Sequence, residues 1–150
     1  MKQENCFICQ DNEQLIKKFK FWKVILNLNQ YYLGGIIIAL NEHKEDFLET
    51  TQEERRELFQ IMKKITNVLK ELFEPNLFNY AILMNQEKHL HMHLIPRYKN
   101  ERIFENIVFK DENYGHNPFS HNEFKISNEN FNKIKEKIKN QLENGRNNSK

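Results

Sequence analysis

Three histidines alternate with apolar residues in the segment His89-Leu90-His91-Met92-His93. Alternate side chains of a β-strand point to opposite faces, so a strand here would place the three imidazoles on one face, about 6.6 Å apart. Imidazole serves as acid, base, nucleophile and metal ligand near neutral pH. Because the whole chain has only six histidines, we interpret this spacing as a functional site rather than a strand face that is His-rich by chance.

Two chemistries fit such a face. In one, the histidines bind a catalytic metal ion, because alternating strand histidines can reach the same zinc ion. In the other, the middle imidazole, His91, attacks a phosphorus atom and forms a covalent intermediate, while its neighbours set its tautomer and hold the phosphate. The spacing of the histidines leaves both open.

The only two cysteines, Cys6 and Cys9, are separated by Phe7 and Ile8. The chain has no signal-peptide pattern and no apolar run long enough to span a membrane, so we expect a cytoplasmic protein. In a reducing compartment, a pair with this spacing favours a metal site or redox chemistry over a structural disulfide. A thioredoxin-like redox role fits poorly, since no βαβ pattern surrounds the pair.

Hydrophobic periodicity predicts the strands that must position these residues. The first has Trp22, Val24, Leu26 and Leu28 on one face, and the histidines lie on the last strand of the sheet. The short polar link 85–88 suits a hairpin before that strand, and 107–109 is a candidate edge strand. The predicted strands are 21–28, 36–40, 78–84 and 89–97.

Two helices complete the prediction. Thr51 and Glu54 form a capping box at the start of a helix that ends before Pro75. A second helix begins after Ser127 and stops near Gly145. The order of elements predicts an α+β domain with a mainly antiparallel sheet, spanning residues 6–145, followed by a flexible tail over 146–150.

The charge balance gives no sign of a nucleic-acid or membrane partner. The formal net charge is +2, and neither sign forms a long block. A nucleic-acid-binding protein would be expected to carry a stronger basic stripe.

The histidine segment and its continuation, Leu94-Ile95-Pro96-Arg97, resemble the histidine triad (HIT) superfamily of nucleotide hydrolases and transferases. The motif is His-x-His-x-His, two apolar residues and Pro-Arg, and the resemblance extends over roughly residues 6–98. It implies a two-helix domain on an antiparallel sheet of about five strands, a nucleotide substrate, and assembly as a homodimer.

The resemblance also implies roles for individual residues. His91 matches the nucleophile that forms a nucleotidyl-histidine intermediate, and His93 matches the histidine that holds and polarises the phosphate. The nucleotide-binding positions are implied to be Ile8 near the base, Asn27 at the ribose, and Asn85 and Gln86 beside the phosphates.

A structural zinc site is implied as well. Some bacterial members pair an N-terminal Cys-x-x-Cys with two histidines, and the matching residues are Cys6, Cys9, His43 and His89. Two thiolates and two imidazoles would close a tetrahedral shell and leave no position for a substrate. The alternative is that the cysteines are plain thiols and His43 is an ordinary loop histidine.

The chain departs from the family pattern on the phosphate side of the pocket. Gly34-Gly35 stands where many members have Gly-His, and a short hairpin between Met84 and His89 replaces a Gly-rich loop. We expect His116 and His121 to be surface residues. Tyr98 and the loop beyond it are candidates to close over the pocket, as the C-terminal segment does in some relatives.

The resulting hypothesis is hydrolysis or transfer at the α-phosphate of a nucleoside 5′-phosphate derivative through His91. Dinucleoside polyphosphates such as diadenosine tetraphosphate are the leading substrates, and nucleoside phosphoramidates or adenylylated groups are alternatives. A zinc hydrolase that uses all three histidines as ligands is a rival enzyme class. A nucleotide-binding module without turnover is a non-enzymatic rival.

Overall fold

A five-stranded antiparallel sheet forms the centre of the computed structural model, which describes residues 2–145. The strands are β1 (Leu15–Lys18), β2 (Trp22–Leu26), β3 (Ile36–Leu40), β4 (Leu77–Ala81) and β5 (His91–Arg97). Their order across the sheet is β1-β2-β3-β5-β4. The α+β prediction is confirmed. The predicted tail, 146–150, lies outside the described residues, and the domain limits 6–145 stay a prediction.

Two helices, α1 (Gln52–Phe73) and α2 (Asn128–Asn144), pack on one face of this sheet. The predicted capping box is present, because Glu54 N donates to Thr51 Oγ1 (3.1 Å) and Thr51 N donates to Glu54 Oε2 (2.7 Å). A short 3₁₀ turn, Phe47–Glu49, precedes α1. Neither helix of the described chain is long and apolar enough to cross a membrane.

The core lies between the helices and one face of the sheet. Trp22, Val24 and Leu26 face it as the period-2 pattern predicts, and each is at most 1% exposed. The indole N–H of Trp22 donates to Glu54 O at 2.8 Å, which ties β2 to the first turn of α1. The prediction for Leu28 is wrong, because β2 ends at Leu26 and Leu28 is 62% exposed.

The connection from β4 to β5 differs from the predicted four-residue hairpin. It extends over residues 82–90, because β4 ends at Ala81 and β5 begins only at His91. Leu90 N donates to Lys44 O (2.7 Å), and Leu40 N donates to Leu90 O (3.0 Å). These bonds fasten Leu90 to the chain after β3, so His89 lies before β5 rather than on it.

Two short strands were incompletely predicted. β1 was missed because four residues with two lysines give little period-2 signal, and its pairing with β2 contains an irregularity between Leu15 and Lys17. Residues 107–109 do form a strand, but it is not an edge of the main sheet. It pairs with Arg102–Phe104 in a separate two-stranded ribbon.

Candidate active site and metal centre

The face of the sheet opposite the helices carries the histidines of β5. His91 lies across from Ala39 of β3, and His93 lies across from Ile37. Because alternate residues of β5 point to the helices, Met92 and Leu94 are buried in the core while the two imidazoles share the other face. The ring centroids of His91 and His93 are 5.2 Å apart in an edge-to-face arrangement, closer than the ideal strand spacing.

The tautomer of His91 is set by its backbone neighbour. Its Nδ1 lies 2.6 Å from His89 O. A carbonyl oxygen only accepts hydrogen bonds, so Nδ1 carries the proton and Nε2 of the neutral ring keeps its lone pair. His91 is 8% exposed and lines a cavity, so the arrangement gives the ring a fixed orientation at the cavity wall.

His93 is held in its neutral form. Burial, and to a smaller extent the neighbouring His91, lower the pKa of His93 to about 4. Desolvation disfavours the charged form of an imidazole. At neutral pH the His93 ring therefore carries one N–H donor and no positive charge.

A cavity of about 580 Å³, called here the triad cavity, opens over His91 and His93. Its volume falls within the range typical of small-molecule sites. The four residues that the resemblance implies for nucleotide binding all line it, namely Ile8, Asn27, Asn85 and Gln86. Further lining residues that sequence reasoning did not identify include Phe7, Gln14, Ile25, Ile37, Glu87 and Phe119.

The lining of the triad cavity combines apolar side chains with amide groups. Phe7, Ile8 and Ile25 are apolar, and Ile8 packs with Ile25 in a small cluster on the sheet. Asn85 and Gln86 come from the β4–β5 connection and provide amide groups. The cavity that the two imidazoles line thus offers both apolar surface and hydrogen-bonding groups.

A cluster of two thiols and two imidazoles lies beside the cavity. Cys6, Cys9, His43 and His89 each direct one ligand atom into a group in which all four atoms lie within 4.8 Å of one another. Both cysteines are free and buried. The predicted metal-binding residues are thus brought together, and His89 points into this cluster rather than into the triad cavity.

The cluster has the dimensions of a tetrahedral zinc shell. His89 Nδ1 lies 3.3 Å from the sulfur of Cys6 and 3.3 Å from that of Cys9, and His43 Nδ1 lies 3.5 Å from Cys9 Sγ. Zinc–sulfur bonds of about 2.3 Å and zinc–nitrogen bonds of about 2.0 Å at tetrahedral angles place such ligands about 3.5 Å apart. The four residues therefore fit a Zn²⁺ ion.

Neighbouring backbone groups and burial favour metal binding by the side chains of this cluster. His89 Nε2 lies 2.6 Å from Leu40 O and must carry the ring proton, which leaves Nδ1 free to bind a metal. Burial is the main cause that lowers the pKa of His89 to about 4, so the ring is neutral. Gln3 N donates to Cys9 Sγ at 3.4 Å, while burial raises the pKa of the Cys6 thiol. A bound cation would offset that cost of ionising Cys6.

Arg97 is an anchor that sequence reasoning did not assign, although it belongs to the quoted motif. Its side chain is 2% exposed and donates to Asp111 at 2.7 Å and to Asn79 Oδ1 at 2.7 Å. It also donates to His116 O at 3.0 Å. These bonds hold the segment 110–121 against β5.

The segment 110–121 reaches the cavity through Phe119, whose ring lies 5.5 Å from that of His93. The prediction for Tyr98 is wrong, because its hydroxyl donates to Leu33 O (2.6 Å) and the residue is buried in the core. His116 is exposed as expected. His121 is half-buried rather than a simple surface residue, since its ring stacks on Tyr31 at 4.1 Å.

Curated relatives match part of this chain at low identity. "Protein hit" of Bacillus subtilis is 30% identical over an alignment of 106 positions, covering 63% of this chain and 72% of that protein. An "AP-4-A phosphorylase" of Mycobacterium tuberculosis is 26% identical, covering 65% of this chain and 54% of its own length. A "Bis(5'-adenosyl)-triphosphatase" of Saccharomyces cerevisiae is 27% identical, covering 70% and 54%. The chain thus spans about half the length of the last two.

Solved structures share the fold. A zinc-bound histidine triad family protein from Mycobacterium smegmatis superposes with a TM-score of 0.63 at 16% identity, covering 94% of this chain and 97% of that one. The family model described as the HIT domain matches residues 10–100, which is more than half of the chain. Together with the histidines on β5, this match establishes that the chain belongs to the HIT domain family.

Proposed function

We propose that this protein is a nucleotide hydrolase or nucleotidyl transferase in which His91 is the covalent nucleophile. The observation that carries the proposal is the bond from His91 Nδ1 to His89 O, which leaves the Nε2 lone pair available in the triad cavity. Activated nucleophiles of this kind divide one difficult displacement into two easier ones.

In the first step His91 Nε2 bonds to the α-phosphorus of a nucleoside 5′-phosphate derivative. The bond from phosphorus to the leaving group breaks, and the leaving group takes that electron pair and a proton from solvent. In the second step water, or another acceptor, bonds to phosphorus while the nitrogen–phosphorus bond breaks and its electron pair returns to Nε2. The acceptor's proton is released to solvent, so the imidazole is regenerated.

The other cavity residues support binding and orientation in this proposal. His93 donates an N–H to the reacting phosphate, and Asn85 and Gln86 supply amide donors beside it. Asn27, at the end of β2, binds the ribose hydroxyls, and Ile8 packs against the base. Fixed donors of this type stabilise the charge that develops in the transition state.

Dinucleoside polyphosphates, with diadenosine tetraphosphate first, are the substrate class that the relatives favour, because two of them carry names of enzymes that act on such compounds. Nucleoside phosphoramidates are a second candidate, and one observation favours them. Among the described residues that line the triad cavity, none is a lysine or an arginine, although these side chains commonly pair with phosphate chains.

The Cys6, Cys9, His43 and His89 cluster holds a structural Zn²⁺ in this proposal. It uses His89 but neither His91 nor His93, which disfavours a catalytic zinc bound by all three triad histidines. A closed shell of four protein ligands leaves no position for substrate. The ion would fix the N-terminal segment and His89 beside the nucleophile.

The test is turnover of diadenosine tetraphosphate, followed by chromatography of the released nucleotides. We expect activity in the wild type and a loss of at least about 10³-fold in His91→Ala, as for other nucleophile removals. His116→Ala, in an exposed residue that does not line the triad cavity, is the matched control. Retention of most activity in His91→Ala would refute the proposal. Binding of adenosine monophosphate without any turnover would favour the binding module.

We also propose that the protein is a homodimer that assembles through β4. This strand is at the edge of the sheet, and an unpaired edge is a template for another chain. Its side chains Leu77 (39% exposed) and Tyr80 (49% exposed) add apolar surface. Light scattering of the wild type should give the mass of a dimer. Tyr80→Glu should reduce that mass to the mass of a monomer. Leu48→Glu, at an exposed apolar residue outside β4, should leave it unchanged. A monomeric wild type would contradict this proposal.

The cytoplasm is the compartment we propose, because Cys6 and Cys9 are free thiols and such pairs persist where the environment is reducing.

A further inference from the structure

The two cysteines lie at the ends of one tight turn. Cys9 N donates to Cys6 O at 3.2 Å, so residues 6–9 form a β-turn. Their sulfur atoms lie within 4.8 Å of each other, and both thiols are free. A β-turn brings its end residues to within about 7 Å, a distance that a disulfide bond can span. This backbone therefore allows Cys6 and Cys9 to be joined.

A disulfide at this turn and a metal ion in the cluster exclude each other. The sequence contains only these two cysteines, so a disulfide within the chain has one possible connectivity. A sulfur bonded to another sulfur carries no thiolate charge, and the thiolate is the form of cysteine that binds a metal ion. A disulfide would therefore remove two of the four candidate zinc ligands and leave only His43 and His89.

The same turn contacts the triad cavity by two routes. Phe7 and Ile8, which the cysteines enclose, both line the cavity, and Ile8 packs with Ile25. His89 Nδ1 lies 3.3 Å from each sulfur, while its carbonyl oxygen accepts the Nδ1 proton of His91. A bond formed between the two sulfurs therefore acts on the apolar lining of the cavity and on the residue that orients His91.

We propose that Cys6 and Cys9 form a reversible oxidative modification site, at which a hydroperoxide converts the thiolate pair to a disulfide, displaces the metal ion and weakens nucleotide binding. Disulfides that form transiently in reducing compartments commonly sense oxidants in this way. The effect on nucleotide binding rests on the proposed function. The disulfide and the loss of metal depend only on the cluster of Cys6, Cys9, His43 and His89.

The reaction balances with hydrogen peroxide as the oxidant. One thiolate sulfur bonds to a peroxide oxygen, the O–O bond breaks, and the departing hydroxide takes a proton to become water, which leaves a sulfenic acid. The second thiolate sulfur then bonds to the first sulfur, the S–O bond breaks, and a second hydroxide is protonated to water. Two electrons pass from the sulfurs to the peroxide. A dithiol such as dithiothreitol returns them by thiol–disulfide exchange.

The first test is treatment of the zinc-loaded protein with hydrogen peroxide, followed by N-ethylmaleimide in denaturant to block the remaining thiols. We expect a chromogenic zinc indicator to record release of the ion, and intact mass to show a monomer that has lost two hydrogens and carries no maleimide. Dithiothreitol and added zinc should restore the starting state. Two alkylated thiols, a sulfinic acid, a disulfide between two chains, or a reduced protein that takes up no zinc would overturn the proposal.

The second test is nucleotide binding before and after oxidation, measured in His91→Ala so that turnover does not interfere. We expect titration calorimetry with adenosine monophosphate to give an affinity about fivefold lower after peroxide, and recovered after dithiothreitol, as for other coupled sites. Methionine oxidation is the rival cause, because Met84 lines the triad cavity. Its sulfoxide is reversed by dedicated reductases rather than by dithiothreitol.

The control adds Cys6→Ser and Cys9→Ser to His91→Ala, which removes the disulfide but keeps every methionine. Whatever its starting affinity, this variant should show no change in affinity after peroxide. A loss that persists in it, or that dithiothreitol does not reverse in the parent, would overturn the link between the cysteines and the cavity. If the reduced protein bound no nucleotide while peroxide still formed the disulfide and released zinc, the proposed function would be refuted and the modification site supported.

Discussion

His89 connects two sites through different atoms. Its ring nitrogen Nδ1 lies 3.3 Å from the sulfurs of Cys6 and Cys9, while its carbonyl oxygen accepts the Nδ1 proton of His91. The side chain therefore belongs to the cluster of Cys6, Cys9, His43 and His89, and the backbone supports a residue of the triad cavity. The prediction that all three imidazoles share one strand face is wrong for His89, because that residue precedes the strand.

His93 should make the folded state sensitive to acid. Its pKa, lowered to about 4 mainly by burial, means that the unfolded chain takes up a proton near pH 6.5 whereas the folded chain does not. Stability should therefore fall as the pH decreases from about 6.5 to 4. The Gln side chain of His93→Gln is a neutral donor at all pH values. Between pH 7 and pH 5, this variant should therefore lose less free energy of unfolding than the wild type, as measured by urea unfolding.

His116→Gln, at an exposed histidine, is the control for that measurement. If the wild type, His93→Gln and His116→Gln all lost the same free energy of unfolding between pH 7 and pH 5, the neutral state assigned to His93 would be contradicted.

Much of the triad cavity was predictable from residue types and motif. Ile8, Asn27, Asn85 and Gln86 line it as the resemblance implied. Phe119 was not identified, because its contact with His93 depends on the course of the chain after Arg97. Local patterns carry no information about which loop residue returns to the sheet.

At the scale of elements, the turn between Cys6 and Cys9 joins the metal cluster to the triad cavity. The residues enclosed by the cysteines, Phe7 and Ile8, both line the cavity. Ile8 also packs with Ile25 and Ala39 of the sheet. A metal ion bound at the cysteines would therefore hold the apolar wall of the cavity in place.

Removal of the metal should weaken nucleotide binding. We expect the affinity for adenosine monophosphate, measured by titration calorimetry, to fall about fivefold or more in chelator-treated protein, the range typical of coupled sites. Because such coupling is reciprocal, the nucleotide should also slow the loss of zinc. Ile8→Ala should keep its zinc and still bind the nucleotide more weakly. Identical affinities with and without metal would contradict the coupling.

The start of α1 is a second element that supports the site. Glu54 accepts hydrogen bonds from Thr51 N and from Lys44 Nζ (2.8 Å). The carbonyl oxygen of Lys44 in turn accepts from Leu90 N, which lies between His89 and His91. Burial alone would raise the pKa of Glu54, but the bonds from Lys44 and Thr51 outweigh it and the pKa is lowered.

Glu54→Gln should lower the free energy of unfolding by about 1–3 kcal/mol at pH 7, because a charged hydrogen-bonding partner is removed. A depressed carboxyl pKa gives stability above the unfolded value of about 4.3 that is lost as the pH falls through the folded value. The difference from wild type should therefore shrink by pH 4, as measured by urea unfolding. The exposed Glu53→Gln is the control, and a difference that does not change with pH would contradict the assignment.

The elements themselves were predicted unevenly. The capping box and the apolar stripe located α1 well, since helical periodicity is a local property. The link between β4 and β5 was predicted too short, because Lys44 and Leu40 fasten Leu90 from another part of the chain. A strand forms over 107–109 as predicted, but its pairing with Arg102–Phe104 depends on tertiary structure and was not predicted.

Across the whole molecule, the two faces of the sheet differ: one packs in the core, and the other carries the candidate active site. One face packs on the helices through residues such as Trp22 and Leu94, and the other carries His91 and His93 under the N-terminal segment and the segment 110–121. Arg97 fastens the latter segment to the strand that bears the histidines. The alternating pattern of β5 predicted this division. The resemblance also implied that Ile8 and the loop beyond Tyr98 lie near the pocket, but it did not identify Phe119 as the residue through which the segment 110–121 reaches the cavity.

The most direct test of the account is intact-mass spectrometry of the protein mixed briefly with substrate and quenched in acid-free denaturant. Diadenosine tetraphosphate and the N-benzyl phosphoramidate of adenosine monophosphate would be used in parallel, beside His91→Ala and His116→Ala. We expect an adenylyl adduct on the wild type and on His116→Ala, mapped to His91, and none on His91→Ala. Turnover by the wild type without any adduct, or an adduct that persists in His91→Ala, would contradict the central claim that His91 is the nucleophile.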